Sequence, residues 1–374
     1  MRSKGRNFAI LHRMRYFRSK AGNIPLPVFF PDATRGVIKT LDFVDLKNTK
    51  TPGILVNTFH LFLNLDKKVL AKAKSLRNFI GYQGALISDS GGFQIMSLFK
   101  KGVFKSKVTD EGINLKFSNK TSFTFTPEAS INFQLALRPD MVIVLDEFTP
   151  PSASYQEAKK TVERTILWAK RSKTEYLKTC QKLRFKADIR PYLLGVVQGG
   201  RYLDLRKKCT QALVEIGFDG LGYGGWPIHQ GKFNYDVARV IAENTPKKYF
   251  LFGLGIGKPE EIVNCHQNLG FTIFDCVLPT RDARHKRLYI YNADSIKKIN
   301  LKEKNFYSFY TPDKKKYLTD TRPISKACDC LLCQNYSRGY LAYLFKVEVL
   351  SAMRLASIHN LRFFSILMEK LQKR

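Results

Sequence analysis

Short, nearly continuous apolar runs recur along the chain, and each contains or ends in glycine or an acidic residue. Such runs predict strands buried on both faces, as in a parallel sheet, because a strand with one solvated face alternates apolar and polar residues. The runs are GILVN (53–57), GALISD (84–89), MVIVLDE (141–147), YLLGVVQGG (192–200), FDGLGYGG (218–225), YFLFGLGIG (249–257) and FTIFDCVLP (271–279).

Polar stretches with helical spacing separate these runs, for example at residues 154–183. Strand and helix alternate about seven times, which predicts an α/β protein with a TIM-type (β/α)8 barrel. A doubly wound open sheet is the alternative. Residues 105–128 break the alternation, because two alternating runs flank a Glu-Gly pair at 111–112. They predict a β-hairpin inserted in a βα loop.

Three cysteines lie close together in the segment CDCLLC, and a histidine follows on a stretch with helical periodicity. Cys328, Cys330, Cys333 and His359 form a Cys3His set, which is typical of a structural zinc site without an open coordination position. We therefore expect one structural Zn²⁺ per chain. Three core cysteines that are close by chance are the alternative reading of the same spacing.

The composition changes from about residue 293 onward, where the chain becomes lysine-rich and polar. The cysteine cluster follows, and amphipathic helical sequence continues to the end. We therefore predict two units. Residues 1–298 form the catalytic (β/α)8 barrel, and residues 299–374 form a zinc-binding subdomain with C-terminal helices packed on the barrel.

Polar residues at the ends of the apolar runs form a second candidate site. Asp89, Asp146 and Gln198 come at the ends of the apolar stretches of three runs, and Asp275 lies inside a fourth. A carboxylate at the end of a buried strand is unfavourable unless it is paired or functional. In a barrel the carboxyl ends of all strands face one mouth, where active sites lie. Helix capping explains one such aspartate, but three aspartates and a glutamine at one mouth favour a site.

Glycine pairs lie beside these positions, at 91–92, 199–200 and 224–225. Glycine permits a close approach of the backbone to a flat ligand. Phe93 and Trp226 follow two of the pairs and are candidates for stacking on an aromatic base, with core packing as the alternative.

The charge of the chain indicates the class of its partner. The 63 lysines and arginines exceed the 31 aspartates and glutamates and give a net charge of +32. This excess indicates a polyanionic partner, either nucleic acid or an anionic membrane surface, and a generally lysine-rich composition is the alternative. Arg281 and Arg284 follow the run that contains Asp275, where they can contact a sugar-phosphate backbone.

Cysteine content and hydropathy favour a cytoplasmic location. Seven cysteines are too few for a disulfide scaffold at this length. The basic N-terminus has no long apolar segment of the kind found in signal peptides. The longest apolar stretches are about half the length that a membrane helix needs, so we expect no membrane association.

Seven motifs occur in a fixed order between about residues 50 and 370. They are NTFHLFL (57–63), SDSGGFQIMSL (88–98), GVVQGG (195–200), GIGKPEEIV (255–263), FDCVLPTRDARHKRLYIYN (274–292), CDCLLCQNYSRGYL (328–341) and ASIHNLRFFSILM (356–368). Together they resemble the bacterial tRNA-guanine transglycosylases, which exchange a guanine in tRNA for a 7-deazaguanine. The resemblance implies a TIM-type barrel with a zinc subdomain, a homodimer, and a tRNA anticodon loop containing U-G-U as partner, in queuosine modification.

The resemblance also implies the roles of individual residues. Asp275 aligns with the nucleophile that attacks ribose C1′ and forms a covalent glycosyl-aspartate. Asp89 aligns with the general acid/base, and two inversions at C1′ give net retention. The implied base-binding residues are Phe93, Asp146, Gln198, Gly225, Trp226 and Leu254, and the implied RNA contacts are Lys258, Arg281 and Arg284.

Several positions depart from the bacterial pattern, namely Phe148 and the residues from Trp226 to Gln230. Phe148 stands where that pattern has a small cysteine, and Gln230 stands where a glutamate helps to recognise the aminomethyl group of preQ1. Both lie in the region around the 7-substituent, so preQ1, queuine and preQ0 stay open as the incoming base. A paralogue that acts on DNA and a non-catalytic tRNA-binding subunit are the alternative functions, although Asp275 and Asp89 disfavour the latter.

Overall fold

The structure is a computed structural model that describes residues 14–100, 105–116, 122–186, 189–312 and 317–373. The strands in these ranges are β1 Tyr16–Ser19, β2 Gly22–Pro25, β3 Val28–Pro31, β4 Gly53–Asn57, β5 Ala85–Asp89, β6 Lys105–Val108, β7 Ile113–Lys116, β8 Ser122–Phe125, β9 Met141–Ile143, β10 Tyr192–Val197, β11 Gly220–Tyr223, β12 Ile228–His229, β13 Lys232–Phe233, β14 Phe250–Gly253, β15 Ile273–Cys276, β16 Leu288–Tyr291 and β17 Tyr307–Tyr310. The helices are α1 Phe43–Asn48, α2 Thr58–Asn64, α3 Lys67–Ala73, α4 Leu76–Ile80, α5 Gly92–Lys100, α6 Pro127–Leu137, α7 Tyr155–Lys182, α8 Leu203–Ile216, α9 Tyr235–Glu243, α10 Pro259–Leu269, α11 Leu278–Arg284, α12 Leu331–Asn335, α13 Arg338–Lys346 and α14 Leu350–Gln372.

Eight parallel strands form the central sheet, in the order β3-β15-β14-β11-β10-β9-β5-β4. The sheet closes because Asp32, directly after β3, forms a parallel bridge to Leu55 of β4. The backbone N–H of Ala33 donates to the Leu55 carbonyl oxygen at 2.7 Å. The two ends of the strand order therefore meet. The predicted (β/α)8 barrel is confirmed, and the open doubly wound sheet is wrong.

Strand β3 is the barrel strand that the sequence analysis does not identify. The segment Val28–Pro31 is buried at all four positions, but it is short and proline flanks it on one side and ends it on the other. These features resemble a turn more than a strand interior. Its assignment follows from parallel pairing with β15, in which Phe30 lies opposite Asp275.

The alternation of side chains along each strand separates two apolar layers. Phe30 of β3, Ile87 of β5 and Ile273 of β15 fill the barrel interior. Phe29 and Phe274, at intervening positions, pack outward in the layer between the strands and the helices. Because side chains alternate with a period of two, the next inward position on each strand lies at its carboxyl end.

The amino-terminal end of the barrel is covered by the antiparallel hairpin β1–β2. The Phe17 ring of β1 is fully buried, with its centroid 5.7 Å from that of Phe30, 5.5 Å from that of Tyr192 and 6.0 Å from that of Phe250. This aromatic packing fills one end of the barrel. The carboxyl-terminal end is therefore the open mouth.

The insertion predicted at 105–128 contains the expected hairpin and a third strand. Strands β6 and β7 pair in an antiparallel manner, and β8 adds to β7. Residues 117–121 lie outside the described residues. The carbonyl oxygen of Asp110, in the β6–β7 turn, accepts from Trp168 Nε1 at 2.9 Å and from Arg171 Nη1 at 2.6 Å. These bonds hold the small sheet against α7.

The C-terminal region packs on the outer face of the barrel. The Phe364 ring of α14 lies 4.6 Å from that of Phe29, and the Phe363 ring stacks on Tyr291 at 4.0 Å. Helix α14 thus covers β3 from outside. The boundary at residues 298 and 299 stays a prediction; β16 before it pairs with β17 after it. None of the helices in the described ranges combines the length and apolarity needed to cross a bilayer.

Candidate active site and metal centre

The inward positions at the carboxyl ends of the barrel strands form a layer of mostly polar residues around the mouth. Most of them lie two residues beyond an apolar residue that fills the barrel below, such as Ile87 below Asp89 and Ile273 below Asp275. The layer contains Asp32, Asn57, Asp89, Gln198, Gly224, Leu254 and Asp275. The predicted residues Asp89, Gln198, Leu254 and Asp275 are therefore brought to one rim.

Asp89 ends strand β5 and is held by the neighbouring strand. The Asn57 Nδ2 donates to Asp89 Oδ2 at 3.0 Å, because Asn57 and Asp89 are register partners in β4 and β5. Burial raises the pKa of Asp89 to about 7, the nearby Asp146 charge adds to the shift, and the Asn57 amide opposes it. A carboxyl group with this pKa can both donate and accept a proton near neutral pH.

Asp275 lies in strand β15, with its carboxylate against the loop after β14. The backbone N–H of Gly255 donates to Asp275 Oδ1 at 3.0 Å. Burial raises the pKa of Asp275 to about 8, Gly255 opposes this, and the charges of Asp32 and Asp89 add to it. The negative charge of each rim carboxylate therefore adds to the rise in the pKa of its neighbours.

Asp146 and Gln198 form a bonded pair on the opposite side of the mouth. Gln198 Nε2 donates to Asp146 Oδ2 at 2.5 Å, and the Thr149 backbone N–H donates to Gln198 Oε1 at 3.1 Å. Burial raises the pKa of Asp146 to about 6, and the Gln198 hydrogen bond opposes the shift. A Cβ on Gly224 would stand 2.7 Å from Gln198 Nε2, so glycine is needed there for the amide to hold this position.

Aromatic side chains lie near this pair. Phe93 on α5 is 42% exposed, and its ring contacts that of Phe148 edge to face with centroids 5.2 Å apart. Trp226 is 51% exposed in the loop after Gly225, whose φ of 82° favours glycine. These exposed rings are available to a ligand, and neither belongs to the buried core.

A cavity of about 440 Å³ opens beside the Asp146 side of the mouth. Asp146 and Phe148 line it together with residues of β6, β7 and α7. Glu147 also lines it, and its Oε2 pairs with Arg164 Nη1 at 2.7 Å. The cavity gives the mouth an extension beyond the Asp146–Gln198 pair, next to the Phe148 ring.

The predicted RNA contacts lie on two short segments near the mouth. Arg281 on α11 is half-exposed and lies 3.6 Å from an Asp282 carboxylate oxygen. Arg284 Nη1 donates to the Thr280 carbonyl oxygen at 2.9 Å. Lys258, which precedes α10, pairs with Glu261 at 3.2 Å. All three side chains have a partner within the chain. The ion pair of Arg281 is longer than that of Lys258, at 3.6 Å against 3.2 Å.

The four predicted metal ligands converge in the C-terminal region. Their ligand atoms all lie within 4.8 Å of one another. His359 Nδ1 lies 3.6 Å from Cys330 Sγ and 3.2 Å from Cys333 Sγ. A tetrahedral zinc with its usual bond lengths to sulfur and nitrogen places these atoms about 3.5 Å apart, so the residues fit the ion. His359 Nε2 donates to the Tyr289 carbonyl oxygen at 2.7 Å, which directs Nδ1 toward the sulfurs.

Sequence comparison decides the family. The family described as Queuine tRNA-ribosyltransferase matches residues 10–374, almost the whole chain. The chain belongs to this family. A Queuine tRNA-ribosyltransferase of Thermoanaerobacter sp. (strain X514) is 35% identical over 363 residues, which cover 96% of this chain and 89% of the relative. Relatives of the same name from Aliivibrio fischeri (strain MJ11) and Vibrio cholerae serotype O1 (strain M66-2) are 35% and 36% identical over 358 residues, which cover 94% of this chain and 87% and 86% of theirs.

In this member of the Queuine tRNA-ribosyltransferase family, three residues at the mouth were not found by sequence analysis. Asp32 and Asn57 belong to the rim, and the period of two along β3 and β4 is the signal that locates them. Arg206 on α8 is buried, and its guanidinium donates to carbonyl oxygens of Val197 at 2.6 Å and Gly224 at 2.8 Å. It fixes the loops after β10 and β11. In the sequence, Arg206 lies on the apolar face of α8, and a charged residue at such a position indicates a buried, hydrogen-bonded side chain.

Proposed function

We propose that this protein is a tRNA-guanine transglycosylase, which exchanges guanine at the anticodon wobble position of tRNA for a 7-deazaguanine. The observation that carries the proposal is the convergence of Asp275, Asp89 and the Asp146–Gln198 pair at one mouth. Family membership supports it, since the relatives carry the name Queuine tRNA-ribosyltransferase.

In the first half of the proposed reaction, the ionised Asp275 carboxylate attacks ribose C1′ while the bond from C1′ to the guanine nitrogen breaks. Protonated Asp89 gives its proton to the departing guanine. In the second half, Asp89 takes a proton from the incoming base, whose nitrogen then attacks C1′ and releases Asp275. The two inversions give net retention, and both carboxyl groups return to their starting forms.

The Asp146–Gln198 pair suits recognition of the guanine edge. A carboxylate accepts from the ring N–H and the exocyclic amino group, while amide N–H groups, including that of Gly225, donate to the carbonyl oxygen. Phe93 supplies an exposed ring for stacking. The target base must leave the anticodon loop to enter the mouth, which is inexpensive for an unpaired nucleotide.

We further propose that Cys328, Cys330, Cys333 and His359 hold a structural Zn²⁺. Four protein ligands fill a tetrahedral shell, so the ion supplies folding energy to the C-terminal region and activates no water. Arg362 of α14 ties the cysteine segment to that helix through Asp329 at 2.5 Å, and Glu369 of the same helix pairs with Arg362 at 2.6 Å. A homodimer and a cytoplasmic location stay predictions of the family resemblance.

The test is base exchange on an anticodon stem-loop that contains U-G-U preloaded with labelled guanine. PreQ1, queuine and preQ0 are offered separately, and label release with one of them is the expected result. Asp275→Asn is expected to form no RNA adduct on a denaturing gel, whereas Asp236→Asn, whose side chain is 70% exposed on α9, keeps the adduct. No release with any base from metal-loaded protein, or an adduct in Asp275→Asn, contradicts the proposal.

A further inference from the structure

Asp32 lies between the two carboxyl groups of the proposed reaction. The strand order around the barrel is β15, β3, β4 and β5, so the rim residues follow one another as Asp275, Asp32, Asn57 and Asp89. Pro31 is the register partner of Cys276, and Asp32 bridges Leu55, which places Asp32 just above the level of Asp275. Along this side of the rim, Asp32 and Asn57 are the inward residues that lie between Asp275 and Asp89.

The alternation along β3 directs the Asp32 side chain into the mouth. Val28 and Phe30 point into the barrel interior, Phe29 points outward, and Asp32 occupies the next inward position. Its Oδ1 accepts from the Thr34 hydroxyl at 2.7 Å. Asp32 is only partly buried, so its carboxylate can be reached from the mouth.

The position of Asp32 is energetically unfavourable for an ionised carboxylate. Burial raises the pKa of Asp32, and the hydrogen bonds from Thr34 and then the charges of Arg284 and Lys39 oppose this shift without cancelling it. Within the described ranges Asp32 forms no ion pair. Its own charge also raises the pKa values of Asp275 and Asp89. An apolar residue would continue the barrel filling of Phe30 without these costs, and so the carboxylate needs an explanation in the chemistry of the site.

The reacting carbon provides this explanation. If C1′ of the target nucleotide lies between Asp275 and Asp89, the adjacent carbon of the ribose is C2′, and its hydroxyl reaches the rim between them. Asp32 is the acceptor at that point of the rim. A hydrogen bond to the 2-hydroxyl of a sugar strengthens as positive charge develops at the anomeric carbon. A carboxylate is the strongest acceptor that the chain can supply.

We propose, building on the function proposed above, that Asp32 accepts a hydrogen bond from the 2′-hydroxyl of the nucleotide whose base is exchanged. This contact makes the reaction selective for a ribonucleotide over a deoxyribonucleotide. No covalent bond to Asp32 forms or breaks.

The experiment compares two stem-loops that differ in one atom, with ribose or 2′-deoxyribose at the target guanosine. We expect the wild-type protein to favour the ribose substrate in kcat/KM. Asp32→Val removes the acceptor and is expected to lose about tenfold or more on the ribose substrate, as for one charge-assisted hydrogen bond, with little loss on the deoxyribose substrate. The ratio of kcat/KM for the two substrates is compared between the variant and the wild-type protein, because the difference in intrinsic reactivity is the same in both and cancels. Equal losses on both substrates would overturn the proposal, and Asp236→Asn is the matched control that leaves the ratio unchanged.

A second readout separates the proposed contact from a packing role. Asp32→Asn is nearly isosteric and removes the charge, so the acidic limb of the kcat/KM profile is expected to move to lower pH while the ribose preference falls. An unchanged profile with an unchanged preference overturns the proposal. If neither variant folds, equal use of both substrates by wild-type protein overturns it. Wild-type protein that releases guanine from neither substrate refutes the proposed function itself, which is a distinguishable result.

Discussion

The backbone N–H of Gly255 donates to Asp275 Oδ1 at 3.0 Å, at the rim of the barrel mouth. This hydrogen bond favours the ionised carboxylate, yet the pKa of Asp275 is raised to about 8 by burial and by neighbouring negative charges. The folded state therefore binds a proton more tightly than the unfolded chain does. Stability from this group is fully present below the unfolded pKa, near 4, and is lost as the pH rises through 8.

Asp275→Asn is accordingly expected to stabilise the protein at pH 8.5, because the amide carries no charge and its oxygen can still accept from Gly255. The gain in the free energy of unfolding should be several kcal/mol at pH 8.5 and much smaller at pH 4.5. Denaturant titrations at the two pH values measure it. Asp236→Asn, at an exposed site, should show no such pH dependence, and a destabilised Asp275→Asn protein at pH 8.5 would contradict the assigned burial.

Replacing a metal ligand should remove the metal and destabilise the C-terminal region. Cys330→Ser is expected to lose the bound zinc and to lower the unfolding temperature, because His359 and two thiolates form an incomplete shell. Elemental analysis and thermal unfolding check both effects. Cys180→Ser, at a cysteine far from the cluster in sequence and on α7, should keep the full metal content. A Cys330→Ser protein with full zinc content would refute the ligand set.

Phe148 lines the 440 Å³ cavity together with Asp146, so its ring should limit the size of the incoming base. Phe148→Ala is expected to raise kcat/KM for queuine relative to preQ1 by about tenfold, the scale on which pocket size discriminates substrates. Competition assays with the two bases measure this ratio. Phe79→Ala, at a half-exposed ring on α4, is the control. The assignment of Phe148 to specificity is wrong if both variants give the wild-type ratio.

Arg281 is half-exposed beside the mouth and should contact a phosphate of the bound RNA. Arg281→Ala is expected to weaken stem-loop binding and to make the slope of log affinity against log salt shallower by about 1. Titrations at several salt concentrations give this slope. Arg239→Ala, at an exposed position on α9, should leave the slope unchanged. Equal slopes for Arg281→Ala and wild-type protein would place the RNA elsewhere.

Much of the site follows from sequence because its residues end long apolar runs. Asp89 and Gln198 come directly after such runs, and the carboxyl ends of parallel strands must share one mouth. Asp32 does not stand out in this way, since β3 is four residues long and proline flanks it. Arg206 is also hidden, because its partners are backbone carbonyl oxygens of two loops that come together only in the folded chain.

The sequence by itself determined the barrel class, the Cys3His set and the family, because hydrophobic period, cysteine spacing and motif order are local properties of the chain. Tertiary structure alone decided which strand closes the barrel, since the bridge between Asp32 and Leu55 joins segments whose pairing no local pattern encodes. It also decided the electrostatics of the mouth. The pKa values of Asp89 and Asp275 depend on burial and on charges brought close by the fold, and these quantities exist only once the strands have packed.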